Sequence, residues 1–124
     1  MREKKGKRSL PVHGEKVTVV EAEHLACPRC REVLLRLDQA RRLREQAFTI
    51  YRKEYGLLSP EEIRALRERF GLTQGALGKL LRLGSNTISR WESGRNVQTA
   101  AMDMLLRLIR DVPGSIDYLR QSVA

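Results

Sequence analysis

Leu72-Thr73-Gln74-Gly75-Ala76-Leu77-Gly78-Lys79-Leu80-Leu81-Arg82-Leu83-Gly84-Ser85-Asn86-Thr87-Ile88-Ser89-Arg90-Trp91-Glu92-Ser93-Gly94 is the stretch on which the fold turns. Thr73 is a capping residue type, Leu77, Leu80 and Leu81 recur at helical spacing, and Arg82-Leu83-Gly84 breaks the pattern before a second short helix over residues 85–92. In that helix Ile88 and Trp91 face inward, which leaves Ser85, Asn86, Ser89 and Arg90 on the opposite side with no acid among them. Asn86 and Arg90, four residues apart, stand one above the other, and they are the side chains that pair bidentately with adenine and guanine edges. Two short helices joined by a tight turn let the second enter a groove about 12 Å wide while the first lies across the phosphates. The expectation is a sequence-specific major-groove reader over residues 73–94. The competing reading is a bundle that packs the same helices and binds nothing. Trp91 belongs to the core under either.

Outward from this stretch the chain reads as mainly α. Ser59-Pro60-Glu61-Glu62 starts a helix with Ser at the N-cap, Pro at the first helical position and Glu62 placed to close a capping box; Ile63, Leu66 and Phe70 form its buried face. A helix over about residues 99–111 is expected to turn Ala101, Leu105, Leu108, Ile109 and Val112 inward, and Pro113-Gly114 separates it from a last short helix ending near Gln121. Upstream, Leu34, Leu37, Ala40, Leu43, Ala47 and Ile50 predict a connecting helix from about Glu32 to Tyr55, ended by Gly56. Ser9–Val12 and Lys16–Val20 around His13-Gly14-Glu15 predict a small hairpin. The organisation expected is a basic tail and hairpin over 1–31, the connecting helix over 32–56, and a five-helix domain over 57–124.

At 124 residues there is room for one ordinary domain, or a small helical domain with a smaller appendage. Twenty-four Lys and Arg against fifteen Asp and Glu leave a net charge of +9, which favours a polyanionic partner or merely a solubilising surface. Residues 1–8 alone carry five cations and one acid, so they read either as a solvated tail or as an arm that touches phosphate. No apolar run follows this basic opening, and none approaches the ~18 residues of a membrane span, so the expectation is a cytoplasmic chain with no membrane partner. Two His, no nucleophile in a recognisable triad and no Gly-rich phosphate loop argue against an enzyme.

Leu72-Thr73-Gln74, Leu77 and Thr87-Ile88-Ser89-Arg90-Trp91-Glu92-Ser93-Gly94 resemble the Xre/Cro-type helix-turn-helix of lambda-repressor-like domains. The resemblance implies that Gln74 approaches the phosphate backbone and that Asn86, Thr87, Ser89 and Arg90 lie in or beside the groove. With Arg95 and Ser85 added from the residues themselves, the site expected has Asn86 and Arg90 reading bases and Gln74, Thr87, Ser89 and Arg95 positioning phosphates, with Ser85 alongside. Two departures stand out. Gly75 and Gly78 sit inside a helix at about 1 kcal/mol each relative to Ala; close packing is the expectation for Gly78, and the sequence offers no account of Gly75. The family's turn Gly is replaced by Arg82, so Gly84 is expected to take up the turn.

Both cysteines lie in Cys27-Pro28-Arg29-Cys30. Such a knuckle offers two thiolates to a metal, but structural zinc takes four ligands, and His13 and His24 are the only imidazoles. Zinc held in this chain or across two subunits, and reduced thiols in a remnant knuckle, both stay open. A thioredoxin-like redox pair would need a βαβ context that is missing here. The order of hairpin, Cys-x-x-Cys, connecting helix and Xre-type domain, with Gly84-Ser85-Asn86 opening the recognition helix, resembles the MqsA antitoxins and related YgiT-type zinc-finger regulators over about residues 9–120. That family's ribbon binds zinc through two Cys-x-x-Cys pairs, of which Cys27 and Cys30 match the second. The first pair is absent, so either this start lies about a dozen residues late or the site has decayed. The resemblance implies a homodimer on a palindromic operator, an autorepressor, and an antitoxin whose ribbon binds a small ribonuclease toxin. The alternatives are a stand-alone repressor without a toxin and a toxin-binding protein with little specific DNA readout.

Overall fold

His13 and Gly14 adopt φ of 48° and 82°. Two consecutive left-handed residues make the primed turn whose twist matches that of paired strands, and the strands β1 (Arg2–Val12) and β2 (Glu15–Ala26) extend from it in antiparallel register from Val12↔Glu15 to Arg2↔Ala26. The loop is therefore two residues rather than the three expected, and the ribbon runs far beyond Ser9–Val20. Residues 2–8, which the sequence suggests as a tail or an arm, are strand. The computed structural model describes residues 2–30 and 32–123.

One irregularity makes the ribbon's inner face continuous. Gly6 pairs with Ala22 and Arg8 with Val19, so two steps on β1 oppose three on β2, and β2 carries one extra residue. Strict alternation from Val17 and Val19 would turn Glu21 and Glu23 inward. The bulge instead leaves Val20 and Glu21 both exposed and buries Ala22 and His24. A short strand β3 (Val33–Leu34) pairs antiparallel with Leu25 and Ala26, closing a sheet of order β1-β2-β3.

The helix α1 (Leu37–Tyr55) starts later than expected, because Leu34 belongs to β3, and its first residue Leu37, expected on the inward face, is 80% exposed. It buries Leu43, Ala47, Phe48 and Tyr51, which with Val12, Val17, Val19 and Ala22 form the small core of the first unit. The Tyr51 ring meets the edge of His13 at 5.6 Å between centroids, and Arg42 pairs with Glu23 at 2.7 Å. Gly56, with φ of 62°, follows α1 in the C′ conformation expected of it.

The chain divides after Glu54 into two units, and the described residues of the second form five helices: α2 (Pro60–Arg69), α3 (Gln74–Leu80), α4 (Thr87–Ser93), α5 (Ala100–Asp111) and α6 (Ser115–Val123). Ser59 and Glu62 close the capping box reciprocally, and the hydroxyls of Thr73 and Thr99 accept from the amides of Ala76 and Met102. Leu58, Ile63, Leu66, Leu77, Leu80, Leu81, Ile88, Trp91, Leu106, Ile109 and Ile116 make one core.

The inward face of α5 differs from the expectation. Asp103, Leu106 and Ile109 are buried, whereas Ala101 is exposed and Leu108 and Val112 stay about half exposed. The helix carries apolar residues around more than one side, and periodicity alone does not say which side meets the core. Asp103 is buried because it satisfies others: its carboxylate accepts from the Leu58 amide at 2.8 Å, Gln98 Nε2 at 3.2 Å and Arg107 Nε at 2.8 Å. Gln98 Nε2 also donates to the Leu58 carbonyl, and Arg107 Nη2 to that of Gly56. The segment before α2 is thereby tied to α5.

Candidate nucleic-acid interface

The turn between α3 and α4 is made by an unexpected residue. Arg82 takes φ of 57° and Gly84 does not enter the left-handed region, so the turn sits two residues earlier than expected. The Leu83 amide donates to the Gly78 carbonyl at 2.8 Å and Arg82 to Lys79 at 3.1 Å, which satisfies the last carbonyls of α3 as a Schellman-type stop. Gly78 is buried, but a Cβ there would meet the Gly84 carbonyl and Ile88 only at 3.8 Å, an ordinary contact. Packing thus tolerates a methyl at Gly78, and Gly75 faces open space apart from Thr73.

Gly84, Ser85 and Asn86 are exposed, Thr87 opens α4 half-buried, and Ser89 and Arg90 point to solvent. Ile88 and Trp91 are buried on the other side, as their spacing predicts. Asn86 is the N-cap residue, with φ of −110°, and among the described residues its side chain makes no capping bond, leaving its amide free to meet a ligand. Gly94, with φ of 78°, ends α4, and the Arg90 carbonyl accepts from the amides of Arg95 and Asn96, so Arg95 is exposed just past the helix end. The structure therefore gathers Asn86, Ser89 and Arg90 on one outward face, with Ser85 and Arg95 at its two ends. Gln74 differs: it opens α3 half-buried, and its Nε2 donates to Glu92 at 3.3 Å.

Between Gly71 and Met102 the chain carries Lys79, Arg82, Arg90 and Arg95 against a single acid, Glu92. That acid is removed from the surface. Its side chain is 1% exposed and meets Arg67 through Nε–Oε2 at 2.8 Å and Nη2–Oε1 at 2.9 Å, with Arg64 Nε at 3.4 Å. Burial alone would raise the Glu92 carboxyl, but the hydrogen bonds from Arg67 and Gln74 outweigh it and hold the group below the ordinary carboxylate range. The outward side is left cationic and rich in hydrogen-bonding groups, which is the chemistry that meets phosphates and base edges. Sequence reasoning does not single out Arg64, Arg67 and Glu92. An Arg–Glu pair separated by 25 residues leaves no periodic signal, although a lone acid inside a basic helix pair is there to be noticed.

Cys27 and Cys30 sit in the loop from β2 to β3, where the Cys27 amide donates to the Glu32 carbonyl at 2.9 Å. Hydrogen bonds from Cys30, its backbone amide first, hold the Cys27 thiol down at about 7. Among the described residues no three His, Cys, Asp or Glu side chains converge. No described helix is long and apolar enough to cross a membrane.

Over 64 residues the chain is 33% identical to Antitoxin HigA-2 of Vibrio cholerae serotype O1, a match covering 52% of this chain and 62% of that protein. The chain thus spans less than two thirds of that relative's length. The model of the antitoxin component of bacterial toxin-antitoxin systems, MqsA, matches residues 2–120, from the first ribbon strand into the last helix, and the chain belongs to the MqsA antitoxin family.

Proposed function

We propose that this chain is the DNA-binding antitoxin of a toxin–antitoxin pair, a homodimer that represses its own operon by reading a palindromic operator with the helix-turn-helix α3–α4. The observation that carries the DNA reading is the outward face of α4: Asn86, Ser89 and Arg90 stand clear of the core while Ile88 and Trp91 lock the helix, and the one nearby acid is buried and paired. Asn86 and Arg90 meet base edges; Gln74, Thr87, Ser89 and Arg95 meet phosphates. A two-fold operator needs two copies. The exposed apolar residues Met104 and Leu108 of α5 and Val112 at its C-cap, 59%, 49% and 47% exposed, are the surface we assign to pairing with a second copy. The ribbon of the first unit is the surface we assign to the toxin, a small ribonuclease.

The test is titration against the DNA upstream of the chain's own gene, with a scrambled duplex as competitor at two salt concentrations. A preference of ~10³ or more that persists as salt rises supports the reading, and Arg90→Ala should abolish it. Equal, steeply salt-sensitive binding to both duplexes overturns it and leaves toxin binding as the main role.

A further inference from the structure

Gln39, in the first turn of α1, is 1% exposed, and only one end of its side-chain amide is used. Oε1 accepts from the backbone amide of Arg36 at 2.9 Å, which closes the start of the helix. Because that partner can only donate, it also fixes which end of the side chain is oxygen. Nε2 is buried too, and among the described residues neither of its hydrogens meets an acceptor. A buried donor left unpaired is costly and uncommon in a native fold, and it calls for a ligand that accepts.

Gln39 lines a cleft of about 270 Å³ with Glu3, Lys4, Lys5 and Glu23, all within the first unit. Lys5 and Glu23 are cross-strand partners in the ribbon and share a face, and Glu3, two residues before Lys5, stands on the same side. Both acids are already engaged, Glu3 by Arg36 and Glu23 by Arg42. Among the described residues Lys5 has no ion-pair partner of its own. The cleft therefore offers donors: two amide hydrogens on a fixed side chain and an ammonium group, the chemistry that receives an oxyanion. Through Lys5 and Glu23 it continues into a second cleft of about 480 Å³, which Val19 and Ile50 line together with Arg42 and Thr49. A concave site with an apolar wall and a few placed polar groups is the form that small-molecule sites take.

We propose that the junction of the ribbon with α1 binds a small organic anion, its carboxylate or phosphate head received by Gln39 Nε2 and Lys5 and its body lying against Val19 and Ile50. The site lies wholly in the first unit and is independent of the DNA reading.

The experiment titrates ¹⁵N-labelled full-length protein, at constant ionic strength, with two pairs of ligands: inorganic phosphate and ribose 5-phosphate, acetate and benzoate. The NMR signals of the Gln39 side-chain amide and of the Lys5 and Glu23 backbone amides are followed in wild type, and the backbone signals in Gln39→Glu and Lys5→Met. Gln39→Glu keeps the acceptor for the Arg36 amide and exchanges the free donor for a second acceptor; Lys5→Met keeps the stem and removes the charge. Saturable movement of the Gln39 amide is expected with one pair, more tightly for the member that has a body, and the pair that binds tells a phosphate head from a carboxylate. Affinity should fall at least about tenfold in each variant while the dispersed ribbon amides show that the first unit is folded. Gln39 signals that move with none of the four ligands overturn the proposal, as do shifts of equal affinity in wild type and both variants, which would mean only a general attraction of anions to a basic surface. Should Gln39→Glu not fold, Lys5→Met carries the comparison.

Discussion

Replacing Asp103 by Ala removes the acceptor that joins the segment before α2 to α5. The Leu58 amide is left buried without its partner, since Leu58 is itself 1% exposed, and an unsatisfied buried N–H costs roughly 1–3 kcal/mol. Arg107 loses its carboxylate as well, but with a third of its side chain exposed it rehydrates, so that loss adds at most ~1 kcal/mol. Gln98 keeps the Leu58 carbonyl. The expected destabilisation is about 3 kcal/mol, equivalent to a drop of about 15 °C in the melting of a unit of this size. Asp103→Asn retains an oxygen for the Leu58 amide and loses only the charge, so about half the effect is expected. Trp91 is the only tryptophan of the chain and lies in the core of the second unit, so its fluorescence during a urea or thermal melt follows that unit specifically. A loss below ~1 kcal/mol for Asp103→Ala, or equal losses for Ala and Asn, would refute the assignment of the Leu58 amide bond as the main contribution.

Further expectations are as direct. The folded Glu92 carboxyl lies below its unfolded value, so its contribution is complete above about pH 4.5 and is lost as pH falls through the folded value; acid unfolding of Glu92→Gln should be less steep than wild type, and identical steepness would count against the network. Alkylation of Cys27 in metal-free protein should rise with pH around a midpoint near 7, followed by mass spectrometry of the modified peptide, whereas a midpoint near 9 would show that the Cys30 amide does not hold the thiolate. Arg82→Gly should stabilise the second unit by roughly 0.5–1 kcal/mol, because a left-handed non-glycine costs ~1–2 kcal/mol and the added freedom of the unfolded chain recovers only part of it for the unfolded state; a destabilised variant would contradict the turn. Leu108→Lys should lower the sedimentation mass to that of one chain while the Trp91 melt stays unchanged, and a dimer that survives would move the interface off α5.

The outward face of α4 is legible in the sequence because it depends on neighbours three and four residues away: with Ile88 and Trp91 inward, Asn86, Ser89 and Arg90 have one place to go. Gln74 is legible as a member of the helix pair through the resemblance carried by Leu72-Thr73-Gln74, but its bond to Glu92 is not. Glycine enters the left-handed region without cost, so the sequence points to Gly84 for the turn, whereas the 6→1 bond from Leu83 to Gly78 forces Arg82 there instead.

Caps, stops and helix periods are local, encoded in windows of a few residues. Ser59 with Glu62, Thr73, Thr99, Gly56 and the positions of the five C-terminal helices therefore follow from the sequence by itself. Pairings across 20 to 50 residues have no such window. Charged residues 2–8 become strand only because β2 runs opposite them, Glu21 and Glu23 turn outward only because the extra residue in β2 shifts the pleat, and Asp103 and Glu92 are buried only because Leu58 and Arg67 arrive from elsewhere in the chain. An acid reads as surface until its partner is known, since the cost of burying a charge is removed only by the groups that tertiary structure brings to it.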